Sequence, residues 1–229
     1  MEKIKLFATA HKGLRNILCQ FSSLLGTTDF TNQEELEKLN EMAVELFILL
    51  EDHVKVEEEL ILAPLEEKAP GTTIHDHGDH IKIERKQRLL QQKLIDLFEF
   101  PTQQKGYRLY LDFTRFQSKY LDHIYYEEVI TEQHLSQNFE NEELLNIRQS
   151  IIKSMSKEML LLWWKYMIPA QQTNLAIEML TNLKVNSKNI FDELMDVLEA
   201  SMETKRFDRL NSLINREKHY EIGMVGKNS

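Results

Sequence analysis

Apolar residues in the N-terminal part of the chain recur at alternating steps of three and four, and the pattern appears in four separate segments. The first segment is Ile4, Phe7, His11, Leu14, Leu18, Phe21 and Leu25, and the second is Leu36, Leu39, Ala43, Leu46, Leu50, His53, Glu57, Leu60 and Pro64. The third is His80, Ile83, Gln87, Leu90, Leu94 and Leu97, and the fourth is Leu109, Phe113, Phe116, Tyr120, His123, Glu127, Ile130 and His134. Such spacing keeps side chains on one stripe of an α-helix, the stripe that packs into a bundle core. The first helix is expected over about residues 2–25, ended by Gly26. A Thr31-x-x-Glu34 capping box opens the second, which bends near Pro64 and stops at Pro70-Gly71. A His- and Asp-rich connection, His75-Asp76-His77-Gly78-Asp79, leads into the third, which ends before Pro101; the fourth covers about 102–137. Long helices joined by short connections predict an up-down-up-down four-helix bundle over residues 1–138.

From residue 139 the periodic segments shorten, to about 141–167, 170–184, 187–201 and 204–215, with a break at Pro169. Residues 139–229 therefore form a C-terminal extension of shorter helices. Their apolar faces (Leu160, Trp164, Met167; Leu175, Met179, Leu183; Ile190, Leu194, Val197, Leu198) must be buried on the bundle, on each other, or on a partner chain such as a second copy. No metal-ligand pattern occurs there, and His219 falls in a polar tail expected to be exposed. With only 7 Gly and 4 Pro in 229 residues and no alternating β-branched runs, the fold class is all-α.

A formal charge of -9 argues against nucleic acid as a main partner, since phosphate binding needs a basic surface. The local cluster Lys82, Arg85, Lys86 and Arg88 fits the wet face of a helix. Cys19 is the single cysteine, which excludes an internal disulfide and suits a reducing compartment. Met1-Glu2-Lys3-Ile4-Lys5 leads into an amphipathic helix without the apolar core of a signal peptide, and the longest apolar run, 159–164, is too short to span a bilayer. The expected location is cytoplasmic, away from membranes. No phosphate-cradling glycine loop, paired CxxC or nucleophile elbow is present.

The polar members of the four stripes carry the candidate chemistry. Each stripe holds a histidine (His11, His53, His80, His123), and two of these are followed four residues later by a glutamate, Glu57 and Glu127. At that spacing both side chains lie on one helix face and aim at one place. A lone HxxxE is as often a surface pair, and Glu57-Glu58-Glu59 alone fits a solvated charge run. All six residues fall on predicted core faces, where an unpaired carboxylate carries a large desolvation penalty. Ligating a cation removes that penalty, so the six form a candidate metal-ligand set.

These residues resemble the hemerythrin-like, or HHE cation-binding, family: His11, then His53-Val54-Lys55-Val56-Glu57-Glu58 with Pro64 following, then His80, then His123-Ile124-Tyr125-Tyr126-Glu127-Glu128. The resemblance covers about residues 4–136, and the stretch 162–169 resembles a C-terminal extension of some bacterial members. It implies two iron ions, oxo- or hydroxo-bridged, with Glu57 and Glu127 bridging, His11 and His53 on one ion, and His80 and His123 on the other. Imidazole and carboxylate suit iron, whereas ferritin-like sites use Glu-x-x-His, which does not occur here. Oxygen-carrying members have a second helix-three histidine at HxxxH spacing; here Asp76 and Glu84 stand four residues either side of His80. Two octahedral ions need about twelve ligand positions, of which the implied set fills about ten. Glu84 is the expected additional ligand, with Asp76, His77 or a site with more than one open position as alternatives. Phe7, Leu14, Leu50, Phe116, Tyr120 and Ile130 would wall an open position, and Tyr120 could donate a hydrogen bond there. The expected function is non-enzymatic, namely binding of O2, another small diatomic ligand, or iron itself, as sensor, carrier or store. The alternatives are an oxidoreductase acting on O2, peroxide or nitric oxide, and a metal-dependent interaction module.

Overall fold

The computed structural model describes residues 3–225, with side chains described to residue 215. Nine helices and no strand occur among the described residues. Helix α1 is Ala8–Thr27. Helix α2 starts as Gln33–Val56, widens into a π-helical turn over Glu57–Leu62 and finishes as Ala63–Lys68. Helix α3 is Ile74–Glu99. Helix α4 repeats the plan of α2, with Gln103–Tyr126, a π turn over Glu127–Thr131 and Glu132–Asn138. Helix α5 is Asn141–Ser154. The chain divides into two compact units, 1–155 and 156–229.

In the first unit α1 packs on α2 and α4, and α3 packs on the same two, so the four long helices close a ring. Its interior is the predicted set of stripes. Leu14, Leu18, Phe21, Leu39, Leu46, Leu50, Ile83, Leu90, Phe113 and Phe116 are all buried. Each such side chain contributes about 1.5–3 kcal/mol on leaving water. Gly106 admits the ring of Phe30, since a Cβ there would lie 2.1 Å from Phe30 Cε2. Gly71, with φ 88°, makes the left-handed turn between α2 and α3.

The π turns explain where the stripe prediction slips. Across each, hydrogen bonds reach back five residues instead of four: Ala63 N–H donates to the Glu58 carbonyl and Glu132 N–H to the Glu127 carbonyl. One extra residue per turn rotates everything beyond it. Leu60, Pro64, Ile130 and His134, expected on the core stripe, are only half-buried, and Ile61, Leu65, Thr131 and Leu135 take their places.

Other boundaries move for local reasons. Helix α1 begins at Ala8 rather than near residue 2, because the Glu132 carboxylate accepts from the backbone N–H groups of Leu6 and Phe7, while Asn141 Oδ1 accepts from that of Ile4. The α2 cap is Asn32, whose Oδ1 accepts from Glu34 N and Glu35 N, so the Thr31 capping box does not form. Instead Thr31 bonds to Asp29. His75 and His77 lie inside α3 rather than in a loop. The helix expected over 141–167 is interrupted at Met155 and Ser156, where Ser156 Oγ caps the next helix. Leu144 of α5 is fully buried with Phe7, Ile61, Leu65, Leu135 and Phe139. The extension expected to open at residue 139 therefore begins at Ser156, because α5 seals the end of the bundle core.

The second unit comprises α6 (Lys157–Ala170), α7 (Thr173–Asn186), α8 (Lys188–Ser201) and α9 (Thr204–Val225). Pro169 sits within the last turn of α6 instead of breaking the chain before it. The core of this unit is Ile168, Ala176, Leu180, Phe191, Leu194, Leu198, Phe207, Leu210 and Ile214. Leu175, expected inward, is exposed, and Ala176 and Leu180 face in instead. The side chain of His219 lies outside the described residues. No helix among the described residues is long and apolar enough to cross a membrane.

Candidate metal centre

The six side chains singled out by the stripes converge near the N-terminal ends of α1 and α3, and all are at most 3% exposed. Four imidazole Nε2 atoms face two carboxylates. His11 Nε2 lies 3.3 Å from Glu57 Oε1 and 3.5 Å from Glu127 Oε2. His53 Nε2 is 3.2 Å from Glu57 Oε2 and 4.0 Å from Glu127 Oε2. On the opposite side His80 Nε2 is 3.4 Å from both Glu57 Oε2 and Glu127 Oε1, and His123 Nε2 is 3.3 Å from Glu127 Oε1. Two overlapping groups result: His11, His53, Glu57 and Glu127 in one, and Glu57, His80, His123 and Glu127 in the other. Within each group four ligand atoms lie within 4.8 Å of one another.

These separations match a cation better than a hydrogen-bonded network. Donors bound at about 2.0–2.2 Å stand about 3 Å apart when adjacent and about 4.3 Å apart when opposed. Meanwhile His53 Nε2, His80 Nε2, His123 Nε2, Glu57 Oε2 and both Glu127 oxygens are buried without a properly aligned hydrogen-bond partner. Each atom left so costs about 1–3 kcal/mol, and a cation between them satisfies all at once. The donor chemistry fits too, with neutral imidazole and carboxylate and no thiolate.

A second layer of residues orients the first. Glu58 and Glu128, each directly after one of the central glutamates, reach across to the histidine of a neighbouring helix. Glu128 Oε1 lies 3.2 Å from His11 Nδ1, and Arg15 grips Glu128 through two contacts of 2.6 and 3.0 Å. Glu58 Oε1 lies 2.6 Å from His80 Nδ1, while its Oε2 meets His77 Nδ1 at 2.5 Å. Holding the Nδ1 proton of an imidazole on a carboxylate leaves the Nε2 lone pair to point inward. His77 continues outward to Thr73 Oγ1 at 3.0 Å, and that hydroxyl donates to Glu66. The sequence motif includes Glu58 and Glu128, but sequence reasoning assigned neither a role. The repeated His-x-x-x-Glu-Glu pattern was the signal for both.

Electrostatics divide the histidines in the metal-free protein. Burial opposes charge on His11, but Glu128, Glu57 and Glu127 outweigh it and raise its pKa to about 9. His80 is likewise disfavoured by burial yet raised to about 11 by Glu127 and Glu57. For His53 and His123 burial prevails, taking His53 well below its ordinary value and His123 to about 4. Burial and the Glu57 charge push Glu127 well above the carboxylate range. Glu57, despite burial, is held well below it by His53, His11 and His80. In the metal-free centre charge is thus favoured on His11, His80 and Glu57 and opposed on His53, His123 and Glu127.

The expected additional ligand is not part of this centre. Glu84 is exposed and lies 3.5 Å from Arg88. The α3 stripe passes from His80 through Ile83 to Gln87, which leaves Glu84 on the flank. Asp76, one turn before His80, is fully buried and accepts from Thr131 Oγ1 at 3.0 and 3.1 Å. It falls outside both four-donor groups. His77 serves Glu58, and His75 stacks on Tyr126 with ring centroids 3.8 Å apart.

The family comparison agrees with the geometry, since the profile of the hemerythrin HHE cation-binding domain matches residues 2–133. The chain belongs to the hemerythrin HHE cation-binding family. Metal binding by a buried His/Glu cluster accords with that membership. Among curated proteins the chain is similar to F-box/LRR-repeat protein 5 of Danio rerio, with 24% identity over 152 residues. That match covers 66% of this chain but only 22% of the relative. What the relative's name says of an F-box and leucine-rich repeats concerns that protein. No solved structure matches the chain.

Proposed function

We propose that this hemerythrin-family bundle holds two iron ions and uses them to bind O2, another small diatomic ligand, or iron itself, as a sensor, carrier or store. The observation that carries this is the pair of four-donor groups sharing Glu57 and Glu127. Two carboxylates common to both groups suit a pair of ions bridged by them, with His11 and His53 on one and His80 and His123 on the other. Six protein ligands leave positions for a non-protein oxygen and a small exogenous molecule. The surroundings favour a small one, for Phe7 stacks on His11 with ring centroids 5.2 Å apart, and Leu14, Leu50 and Phe116 are buried nearby on the same stripes. The lone exposed Cys19, with no disulfide, supports a reducing, cytoplasmic setting.

Anaerobic titration with ferrous iron tests the proposal. About two ions per chain should bind, and His80→Ala and Glu57→Ala should each abolish uptake at one or both positions. Absence of iron uptake by the folded protein overturns it. Exposure to air then separates uses of the centre: reversible optical change supports binding, and sustained turnover with an electron donor and O2 supports an oxidoreductase.

A further inference from the structure

Tyr120 stands out as a buried polar side chain that no protein group satisfies. The residue is fully buried, and its hydroxyl has no hydrogen-bond partner. A phenol hydroxyl is both donor and acceptor, and a buried tyrosine usually finds a partner for it. Its ring stands equally far from two histidines of the centre, with its centroid 5.9 Å from the ring of His53 and 5.9 Å from that of His123. Those two histidines belong to different donor groups. Phe116 backs Tyr120, with ring centroids 5.8 Å apart, so the surroundings behind it are apolar.

Resting on the two-metal reading above, we propose that Tyr120 is a positioning residue whose hydroxyl donates a hydrogen bond to a small non-protein ligand held between the two histidine pairs. A phenol hydroxyl with no protein acceptor is free to donate its proton to such a ligand. The hydroxyl therefore distinguishes exogenous ligands that carry an acceptor atom from those that do not. Phenylalanine at this position would fill the core as well but offer no such contact.

The test compares the full wild-type chain with Tyr120→Phe after iron loading, using azide as the anionic probe. The variant should bind the same number of ions, and its azide dissociation constant should rise roughly 12- to 150-fold, the range one hydrogen bond to a charged acceptor supplies. Without metal its melting temperature should stay the same or rise, because deleting an unpaired buried hydroxyl removes a penalty. Equal azide affinity in the two proteins overturns the proposal, as does a loaded wild type that takes no azide. A lower melting temperature of the metal-free variant overturns it by revealing a protein partner for the hydroxyl. Lost iron, or loss of a visible phenolate-to-metal charge-transfer band, overturns it by making Tyr120 a ligand. A wild type that binds no iron sinks the two-metal reading itself, an outcome separate from all of these.

Discussion

Glu127→Gln should have opposite consequences in the metal-free and metal-loaded protein. Glu127 is fully buried, and burial together with the neighbouring Glu57 charge favours its neutral form when no metal is bound. Glutamine is nearly isosteric with that neutral form, so metal-free stability should change by less than ~0.5 kcal/mol, the scale of a substitution that breaks no interaction. The loaded protein needs the carboxylate, because an amide brings no negative charge to the cations. Ligand at about 100 times its dissociation constant stabilises the native state by about 2.7 kcal/mol. For a unit of this size each kcal/mol moves the midpoint by about 2–4 °C, so ferrous iron should raise the wild-type transition by roughly 5–10 °C. In the variant that rise should vanish. Anaerobic scanning calorimetry with and without ferrous iron measures both halves. Glu57→Gln provides the contrast, since Glu57 is ionised among His53, His11 and His80. Removing it takes the shared carboxylate from the Nε2 side of His11 and His80, leaving them Glu128 and Glu58 on the Nδ1 side, and should cost about 1–3 kcal/mol without any metal. The reasoning is refuted if Glu127→Gln destabilises the metal-free protein as strongly as Glu57→Gln, or keeps the full iron-induced shift.

Iron loading at pH 7 should release at least two protons per chain, because His11 (pKa about 9) and His80 (about 11) must surrender theirs to ligate. Calorimetric titration in buffers of differing ionisation enthalpy counts them, and affinity should rise with pH. Both folded values lie above the ordinary histidine value, so the stabilisation these two give the metal-free protein is complete below about pH 6.5. It fades as pH climbs through 9 and then 11. The depressed His53 and His123 act in the other direction, with stability lost as pH falls from about 6.5 towards the His123 value of about 4. Glu58→Gln and Glu128→Gln should each weaken iron binding about 10- to 100-fold, the usual effect of losing an outer carboxylate, while circular dichroism of the metal-free fold is unchanged. Gly106→Ala should destabilise the bundle by about 1–3 kcal/mol in urea titrations, because the added Cβ meets Phe30, outweighing a helix-propensity gain of about 1 kcal/mol.

Periodicity alone determined most of the bundle and all six converging side chains. Stripes such as Leu14-Leu18-Phe21 and Phe113-Phe116-Tyr120 are local consequences of 3.6 residues per turn, and an i,i+4 pair such as His53 and Glu57 shares a face in any α-helix. Family membership was legible for the same reason, since its motifs lie within single helices. Tertiary structure decided whatever depended on which helix stands beside which. Glu58 and Glu128 find their histidines on other helices, Asp76 finds Thr131 across the bundle, and Glu84 is excluded because packing chose Ile83 as the next inward residue. The π turns after Glu57 and Glu127 belong with these. They shift the buried positions from Leu60 and Ile130 to Ile61 and Thr131, and sequence periodicity has no means of registering one inserted residue. The end of the first unit is also a packing result, because Leu144 is buried only where Phe7, Leu65 and Leu135, distant along the chain, meet around it. Local patterns record the helix face; contacts distant in sequence record the neighbour, and only folding brings those neighbours together.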